Sequence, residues 1–584
     1  MGLESARGRY EVVRETDVPM TTRDGKVLIA DVYRPQRPGP LPVLLRRTPY
    51  GKQLNDLAEP FNEAHYYASH GYLTVVQNTR GRFGSEGAWY PFAYEGRDGY
   101  DAVEWAATLP GSNGRVGTFG QSYGAVSQYL AAAERPPHLV TAVPLSAQAA
   151  AYENYWYHDG ALELSWTLSY FMNMADDVLT RRGDTERLAA LEALKADPSI
   201  RFGPLTDDAL RHLPLRDWID RFGEGAPFLA DVLHHRTDGP YWWAVDLRRR
   251  LHDIDIPMLH IGSWYDIANT DTPHYFTGIS TTGLSAATRE RQALFMGPWA
   301  HLLPYNQPTS GGTGDIDFGP EAALPLIEVQ RRWFDHILAD DRPGLPMARV
   351  TLFVMGENRW REVESWPPAG IVGTPLYLGG DGTATAGGTL GDTPPTADPS
   401  DTYVYDPADP VPTAGGRFVG GGVADQRVKQ DRADVLVYTG EVLDTQLDVV
   451  GAVAVRLFAA TDAPDTDFVA VLSDVHPDGF TQNLAEGLVR TRYRDSFDEP
   501  SPIEPGTVHE LTIRLGNLAH AFLPGHAVRL HVTSSDFPRW DRNTNTGEPL
   551  DTAVELRKAV QTVHHDARHP SALLLPLAPR REDS

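Results

Sequence analysis

The chain predicts an α/β fold with a helical insertion and an all-β C-terminal sandwich. Three observations carry this. Short apolar runs alternate with helical patterns over residues 18–150, the strand signal fades over 152–251, and period-two alternation replaces helical spacing beyond Trp366. In the first region the runs 42–45 (Pro-Val-Leu-Leu), 72–76 and 115–119 read as buried strands, and 99–107 and 122–134 as helices. Strands alternating with helices imply a mostly parallel sheet covered on both faces. In the insertion, Asp184 is placed to cap a helix over 184–194 with leucines at helical spacing. An insertion of this kind lies over the carboxyl ends of the strands, where ligands bind. Strand patterns return at 257–261 and 293–296, so the first region resumes there. Further on, Val453, Val455 and Leu457 alternate with other residues, as do Leu511, Ile513 and Leu515, and Val528, Leu530 and Val532. That pattern, broken by Gly, Pro and Asp turns, describes an antiparallel jelly roll. Trp366-Pro-Pro-Ala-Gly370 reads as the linker and the Gly-, Thr- and Pro-rich stretch 379–400 as a long surface excursion. The expected division is 1–149 with 248–365 for the α/β region, 150–247 for the helical cap and 366–584 for the sandwich.

Composition narrows the function classes. A net charge of −26 opposes extensive contact with nucleic acid or anionic lipid, both of which recruit Lys and Arg. With no cysteine there is no disulfide, thiolate metal site or cysteine nucleophile. No stretch of about 18 apolar residues occurs, and the first ten residues lack an apolar signal run, so a cytoplasmic protein is expected. Exposed sandwich edges would permit a homodimer.

The stretch Gly120-Gln-Ser122-Tyr-Gly124 sits where the strand 115–119 gives way to a helix. A serine there can cap the helix. It can also be a nucleophile on a strained strand-to-helix corner, which needs small neighbours such as Gly120 and Gly124. In an α/β-hydrolase the acid and the histidine follow the serine in that order, each beyond a strand. The strand 257–261 runs into Gly262-Ser-Trp-Tyr-Asp266, and 293–296 runs into Gly297-Pro-Trp-Ala-His301, which nominates Asp266 and His301. Asp271 competes as the acid, and His260 and His274 are rival histidines; Asp266 could also cap a helix. For the oxyanion, the elbow supplies the backbone N–H of Tyr123. The second donor is sought after an early strand, in Leu44-Leu-Arg-Arg-Thr-Pro-Tyr50-Gly-Lys, where the Tyr50 hydroxyl could act or Tyr50 could simply pack on Pro49.

These residues, with Arg23-Asp-Gly25, Asp31-Val-Tyr-Arg-Pro35, Thr79-Arg-Gly81, Gly84-Ser-Glu-Gly87, Gly114-Arg-Val-Gly117, Tyr405-Asp-Pro-Ala-Asp-Pro-Val-Pro412 and Ser535-Asp-Phe-Pro-Arg-Trp-Asp-Arg-Asn-Thr-Asn545, resemble the cocaine esterase and X-Pro dipeptidyl-peptidase-like group of serine hydrolases. The resemblance spans nearly the whole chain. It implies an α/β-hydrolase domain, a helical cap and a C-terminal jelly roll, with no metal or organic cofactor. It also implies Ser122 as nucleophile, His301 as base, Asp266 as its orienting acid, and the Tyr50 hydroxyl with the Tyr123 N–H as oxyanion donors. Trp156 falls where the group places an aromatic over the substrate, with Trp166 or Tyr170 as a second wall; ordinary cap packing is the alternative for all three.

The implied reaction is hydrolysis of a small-molecule carboxylic ester. Two departures bear on the substrate. Cocaine esterase has a phenylalanine two residues after its acid, facing the acyl group, and this chain has Ala268. Amino-ester hydrolases carry a glutamate at the position of Gly124 and an acidic cluster for the substrate amine. An amidase or dipeptidyl-peptidase would need a carboxylate for a free α-amine, for which Glu153 and Glu163 are candidates. A non-catalytic binding protein with a lectin-like jelly roll is the reading from a different class.

Overall fold

The computed structural model describes residues 10–53, 63–148, 152–196, 210–301, 312–339, 342–380, 387–396 and 400–579. Ten strands build the first sheet: β1 (Val12–Thr21), β2 (Val27–Pro35), β3 (Leu41–Thr48), β4 (Leu73–Asn78), β5 (Ser112–Gln121), β6 (Leu139–Leu145), β7 (Met258–Tyr265), β8 (Gln292–Ala300), β9 (Val350–Val354) and β10 (Arg359–Val363). Their order is β1-β2-β4-β3-β5-β6-β7-β8-β9-β10. From β4 to β9 every pairing is parallel, while β1–β2, β2–β4 and β9–β10 are antiparallel. Strands buried on both faces need apolar residues on both, and the sequence supplies them. Val43, Leu45, Val116, Ala142 and Met258 pack with the helices Glu95–Ala107 and Tyr123–Ala133. Leu44, Phe119, Val143, Leu259 and Phe295 face the helices Glu63–Ser69 and Leu326–Phe334 instead.

Between β6 and β7 the chain leaves the sheet. The insertion begins with a hairpin of Tyr157–His158 and Ala161–Leu162 and continues in helices Leu164–Arg182, Thr185–Ala196, Asp217–Phe222, Pro227–His234 and Pro240–Trp243. Gly183, at φ 69°, ends the longest of these, because its left-handed conformation lets the Asp184 N–H return to the Leu179 carbonyl at 3.1 Å. Asp184 then caps the next helix, accepting from the Arg187 N–H at 3.1 Å.

The C-terminal region is an eleven-stranded, predominantly antiparallel assembly around one apolar core. The alternating residues fall as expected. Val453, Val455 and Leu457 lie buried in strand Leu447–Thr461, Leu511, Ile513 and Leu515 in His509–Phe522, and Val528, Leu530 and Val532 in Ala527–Thr533. The stretch 379–400 departs from the expected surface excursion. Gly388–Gly391 is a strand, paired antiparallel with Val372–Gly379 and parallel with Leu436–Gly440, because Leu390 has a place in the sandwich core. Segments 381–386 and 397–399 of that excursion, and the boundary expected at 149–150, lie outside the described residues. The sandwich docks on the carboxyl end of the parallel sheet. Trp264, Tyr265 and Phe353 join its core, and the Tyr265 hydroxyl donates to the Asn483 carbonyl at 2.8 Å. Among the described residues, no helix is long and apolar enough to cross a membrane.

Candidate active site

Ser122 occupies the corner between β5 and the helix Tyr123–Ala133, at φ 58° and ψ −122°. A non-glycine residue rarely adopts such a conformation, and it persists only where the surroundings enforce it. Here they do. The Ser122 N–H donates to the Leu145 carbonyl at 2.9 Å, while its own carbonyl accepts from Ala125 and Val126 at 2.8 and 3.0 Å. The flanking glycines allow the tight corner: a Cβ on Gly124 would stand 3.3 Å from the Arg47 carbonyl oxygen, and Gly120 has φ +133°. The Ser122 side chain makes no capping hydrogen bond, so the hydroxyl is not consumed by its helix.

The hydroxyl faces His301 instead. Ser122 Oγ lies 3.1 Å from His301 Nε2, and His301 Nδ1 lies 3.1 and 3.2 Å from the two oxygens of Asp266. All three side chains are buried. Burial alone would raise the Asp266 carboxyl, but His301 and the Ala268 N–H, which donates at 2.7 Å, hold it below the usual carboxylate range. The rival residues lie outside this series, His274 within the helix Asp271–Thr282 with its ring 6.1 Å from that of Tyr275. His260 is a core residue, with Nδ1 2.5 Å from the Tyr129 hydroxyl and Nε2 3.0 Å from Gln292 Oε1, and burial pushes it down to about 4. Asp271 starts the next helix and accepts from Asn154 Nδ2 at 3.2 Å.

Tyr50 lies beside this group. Its phenol is pushed up to about 12 by burial, against hydrogen bonds from Ser122 and Tyr170 that favour the anion, so the hydroxyl keeps its proton and can donate. Its loop is clamped by the buried Arg82, whose Nε donates to the Pro49 carbonyl at 2.8 Å and Nη1 to the Met174 carbonyl at 2.7 Å. Tyr123 opens its helix, so its N–H belongs to the first turn, which has no intrahelical acceptor. The Tyr123 ring stacks on Phe92 at 4.6 Å, and its hydroxyl donates to Glu95 Oε1 at 2.9 Å. Tyr170 reaches Tyr50, and Trp156 and Trp166 reach the site through it, with ring centroids 5.5 and 5.0 Å from its own. Trp156 also stacks on Phe171 at 4.8 Å, as a residue of the cap core does.

Three residues at the site were not singled out by the sequence. Tyr155 joins the aromatic group around Tyr170, and its signal was the run Tyr152-Glu-Asn-Tyr-Trp-Tyr157 in which it stands. Gln148 places its amide 3.4 Å from His301 Nδ1. Asn269, three residues after the acid, donates to the Trp264 and Asn517 carbonyls at 3.0 Å each and accepts from the Asn517 N–H at 2.7 Å. Nothing in the sequence joins positions 248 apart. The two carboxylates considered for a substrate amine are both neutralised. Glu153 pairs with Arg248 at 2.8 Å, and Glu163 lies 3.5 Å from Arg539 and accepts from the Trp540 indole at 2.9 Å.

Known proteins match the chain over nearly its whole length. A family model described as X-Pro dipeptidyl-peptidase (S15 family) matches residues 24–303, and one described as X-Pro dipeptidyl-peptidase C-terminal non-catalytic domain matches 346–574. Cocaine esterase of Rhodococcus sp. (strain MB1 Bresler) is 36% identical over 98% of this chain and 100% of its own length. An aminopeptidase from the marine sediment archaeon Thaumarchaeota archaeon superposes with a TM-score of 0.81 at 27% identity, over 99% of this chain and 98% of that one. A selenomethionine-labelled α-amino acid ester hydrolase does so with a TM-score of 0.83 at 26% identity and the same coverage. With an identity above a third over nearly its full length and both family segments in order, the chain belongs to the cocaine esterase and X-Pro dipeptidyl-peptidase (S15) family of serine hydrolases.

Proposed function

We propose that the protein hydrolyses small-molecule carboxylic esters through an acyl-enzyme on Ser122. The observation that carries this reading is the hydrogen-bonded series from Ser122 Oγ through His301 to Asp266, each contact between 3.1 and 3.2 Å. His301 Nε2 takes the Ser122 proton as Oγ attacks the ester carbonyl. Asp266, an anion, accepts from His301 Nδ1–H and so fixes the tautomer that leaves Nε2 free to act. The Tyr50 hydroxyl and Tyr123 N–H meet the developing oxyanion, and the positive end of the helix Tyr123–Ala133 adds to them. As the tetrahedral species collapses, His301 returns the proton to the leaving alcohol. Water then repeats the cycle on the acyl group and regenerates Ser122. Tyr155, Tyr170, Trp156 and Trp166 would form the aromatic wall over the bound ester.

Ester rather than amine-directed amide hydrolysis is favoured because Glu153 and Glu163 are both occupied by arginines. An ester panel with acyl and alcohol groups varied separately, run beside matched amides with and without a free α-amine, tests this. Turnover of esters that disappears in Ser122→Ala, with labelling of Ser122 by a fluorophosphonate probe, is expected. Wild-type turnover in Ser122→Ala would sink the assignment, and preference for free-amine amides would move the substrate class.

A further inference from the structure

We propose that Asp474, His476 and His526 form a binding site for one divalent transition metal of the zinc class at one end of the sandwich. Asp474 stands near the end of strand Asp467–Val475, His476 opens the turn that follows, and His526 closes the loop ahead of strand Ala527–Thr533. Chain segments about fifty residues apart thus deliver one carboxylate and two imidazoles to one place. One ligand atom from each residue lies within 4.8 Å of the others. His526 Nδ1 is 2.9 and 3.0 Å from the Asp474 oxygens, and His476 Nε2 is 3.9 Å from Asp474 Oδ2. Ligands around a tetrahedral zinc ion, at bonds of about 2.0–2.1 Å, stand about 3.4 Å from one another, inside that range.

The surroundings favour coordination over a simple ion pair. His520 Nε2 lies 2.9 Å from Asp474 Oδ2, so a third imidazole orients the carboxylate from behind, in the manner of residues that support metal ligands. The rings of His476 and His526 lie 4.6 Å apart, and two imidazolium charges at that spacing would repel, whereas two neutral imidazoles sharing a cation would not. His476 Nε2 lies 3.2 Å from Gln482 Oε1, so binding the ion would exchange that contact for coordination and move the ring proton to Nδ1, while His526 would keep its proton on Nε2 and Asp474 would stay a carboxylate. The backbone around the cluster is tied down: the His476 N–H donates to the Phe480 carbonyl, the Leu443 N–H to the His526 carbonyl and the Gly525 N–H to the Leu443 carbonyl, each at 2.8 Å. His476 is partly exposed, which leaves a way in and room for a water ligand. Two nitrogens and one carboxylate suit zinc, cobalt or nickel rather than magnesium or calcium.

The test uses the full-length protein, equilibrated with Zn(II), freed of excess metal and analysed for bound metal, with Co(II) substituted in parallel for its visible spectrum. Wild type should hold one equivalent more than His476→Ala or His526→Ala, show Co(II) ligand-field bands that both variants lack, and unfold at least about 2 °C higher with Zn(II). His569→Ala, in the separate His564–Asp566–His569 cluster, should keep the Asp474 site's equivalent. Equal stoichiometry in wild type, His476→Ala and His526→Ala, or no bound metal in wild type, overturns the proposal and leaves Asp474 as a hydrogen-bond acceptor for His520 and His526. Because His476 contributes little to the core, His476→Ala keeps the comparison valid even where His526→Ala fails to fold.

Discussion

A serine hydroxyl can attack only if its own helix does not hold it, and the φ of 58° at Ser122 turns the side chain out of capping geometry towards His301. In the proposed mechanism the opposing demand falls on Tyr50, which must keep its proton to meet an oxyanion. Burial pushes that phenol up to about 12, so it remains a donor at neutral and mildly alkaline pH. Tyr50→Phe removes the donor and little of the shape, and kcat should fall about 10²–10³-fold. The loss should be the same from pH 6 to pH 9, since the wild-type phenol does not titrate there; a deficit that vanished at the alkaline end would show that Tyr50 acts by another route. At this scale the sequence was legible where chemistry imposes a local spelling. Ser122, Asp266 and His301 each stand just past an apolar run beside small residues, as a strand-end position requires. Gln148 and Asn269 carry no such mark, because an amide beside a histidine or between two loops is defined only by what the fold brings to it.

At the scale of elements, the loop that carries Asp266 is held from two sides. β7 delivers Asp266 to the carboxyl edge of the sheet, and the sandwich strand His509–Phe522 then grips the loop. Asn517 donates to the Asn269 carbonyl at 3.1 Å and receives the Asn269 amide on its own carbonyl at 3.0 Å. Asn517→Ala keeps the two bonds between the Asn517 backbone and the Asn269 side chain but leaves the buried Asn269 carbonyl without its side-chain donor. A stability loss of about 1–3 kcal/mol follows from an unsatisfied buried group. The loop should also loosen, so kcat should fall about tenfold with little change in KM, as expected when an acid is less well held rather than when binding is lost. Fluorophosphonate labelling rate and denaturant unfolding measure the two effects separately, and unchanged labelling would mean that the sandwich does not brace Asp266. Strand and helix periodicity foretold these elements well, including the buried alternation of Val453, Val455 and Leu457. It missed Gly388–Gly391, since a four-residue strand containing two glycines has almost no period to read.

Across the whole molecule, buried charge joins the parts that the periodic patterns separate. Glu486, on sandwich strand Thr481–Arg490, accepts from the Arg417 N–H at 2.8 Å and from Arg539 Nη1 at 2.5 Å. Arg539 lies 3.5 Å from Glu163 of the cap, and Arg417 Nη1 donates to Asn269 Oδ1 at 3.2 Å beside the acid. Burial would raise the Glu486 carboxyl, but the two guanidinium groups bring it down to about 2. A carboxylate depressed in the folded chain stabilises it fully above its ordinary value of 4.5, and that contribution is lost as the pH falls from there towards 2. Glu486→Gln preserves shape but removes the buried anion shared by Arg417 and Arg539, leaving Arg539 only its longer contact to Glu163, which should cost about 3–5 kcal/mol at neutral pH. In denaturant titrations repeated from pH 7 to pH 3, wild type should weaken below about 4.5 more steeply than the variant, so that the gap between them narrows with acid. A gap that stays constant over that range would show that the glutamate acts by packing alone, and that the joint between cap, sandwich and acid loop does not depend on its charge.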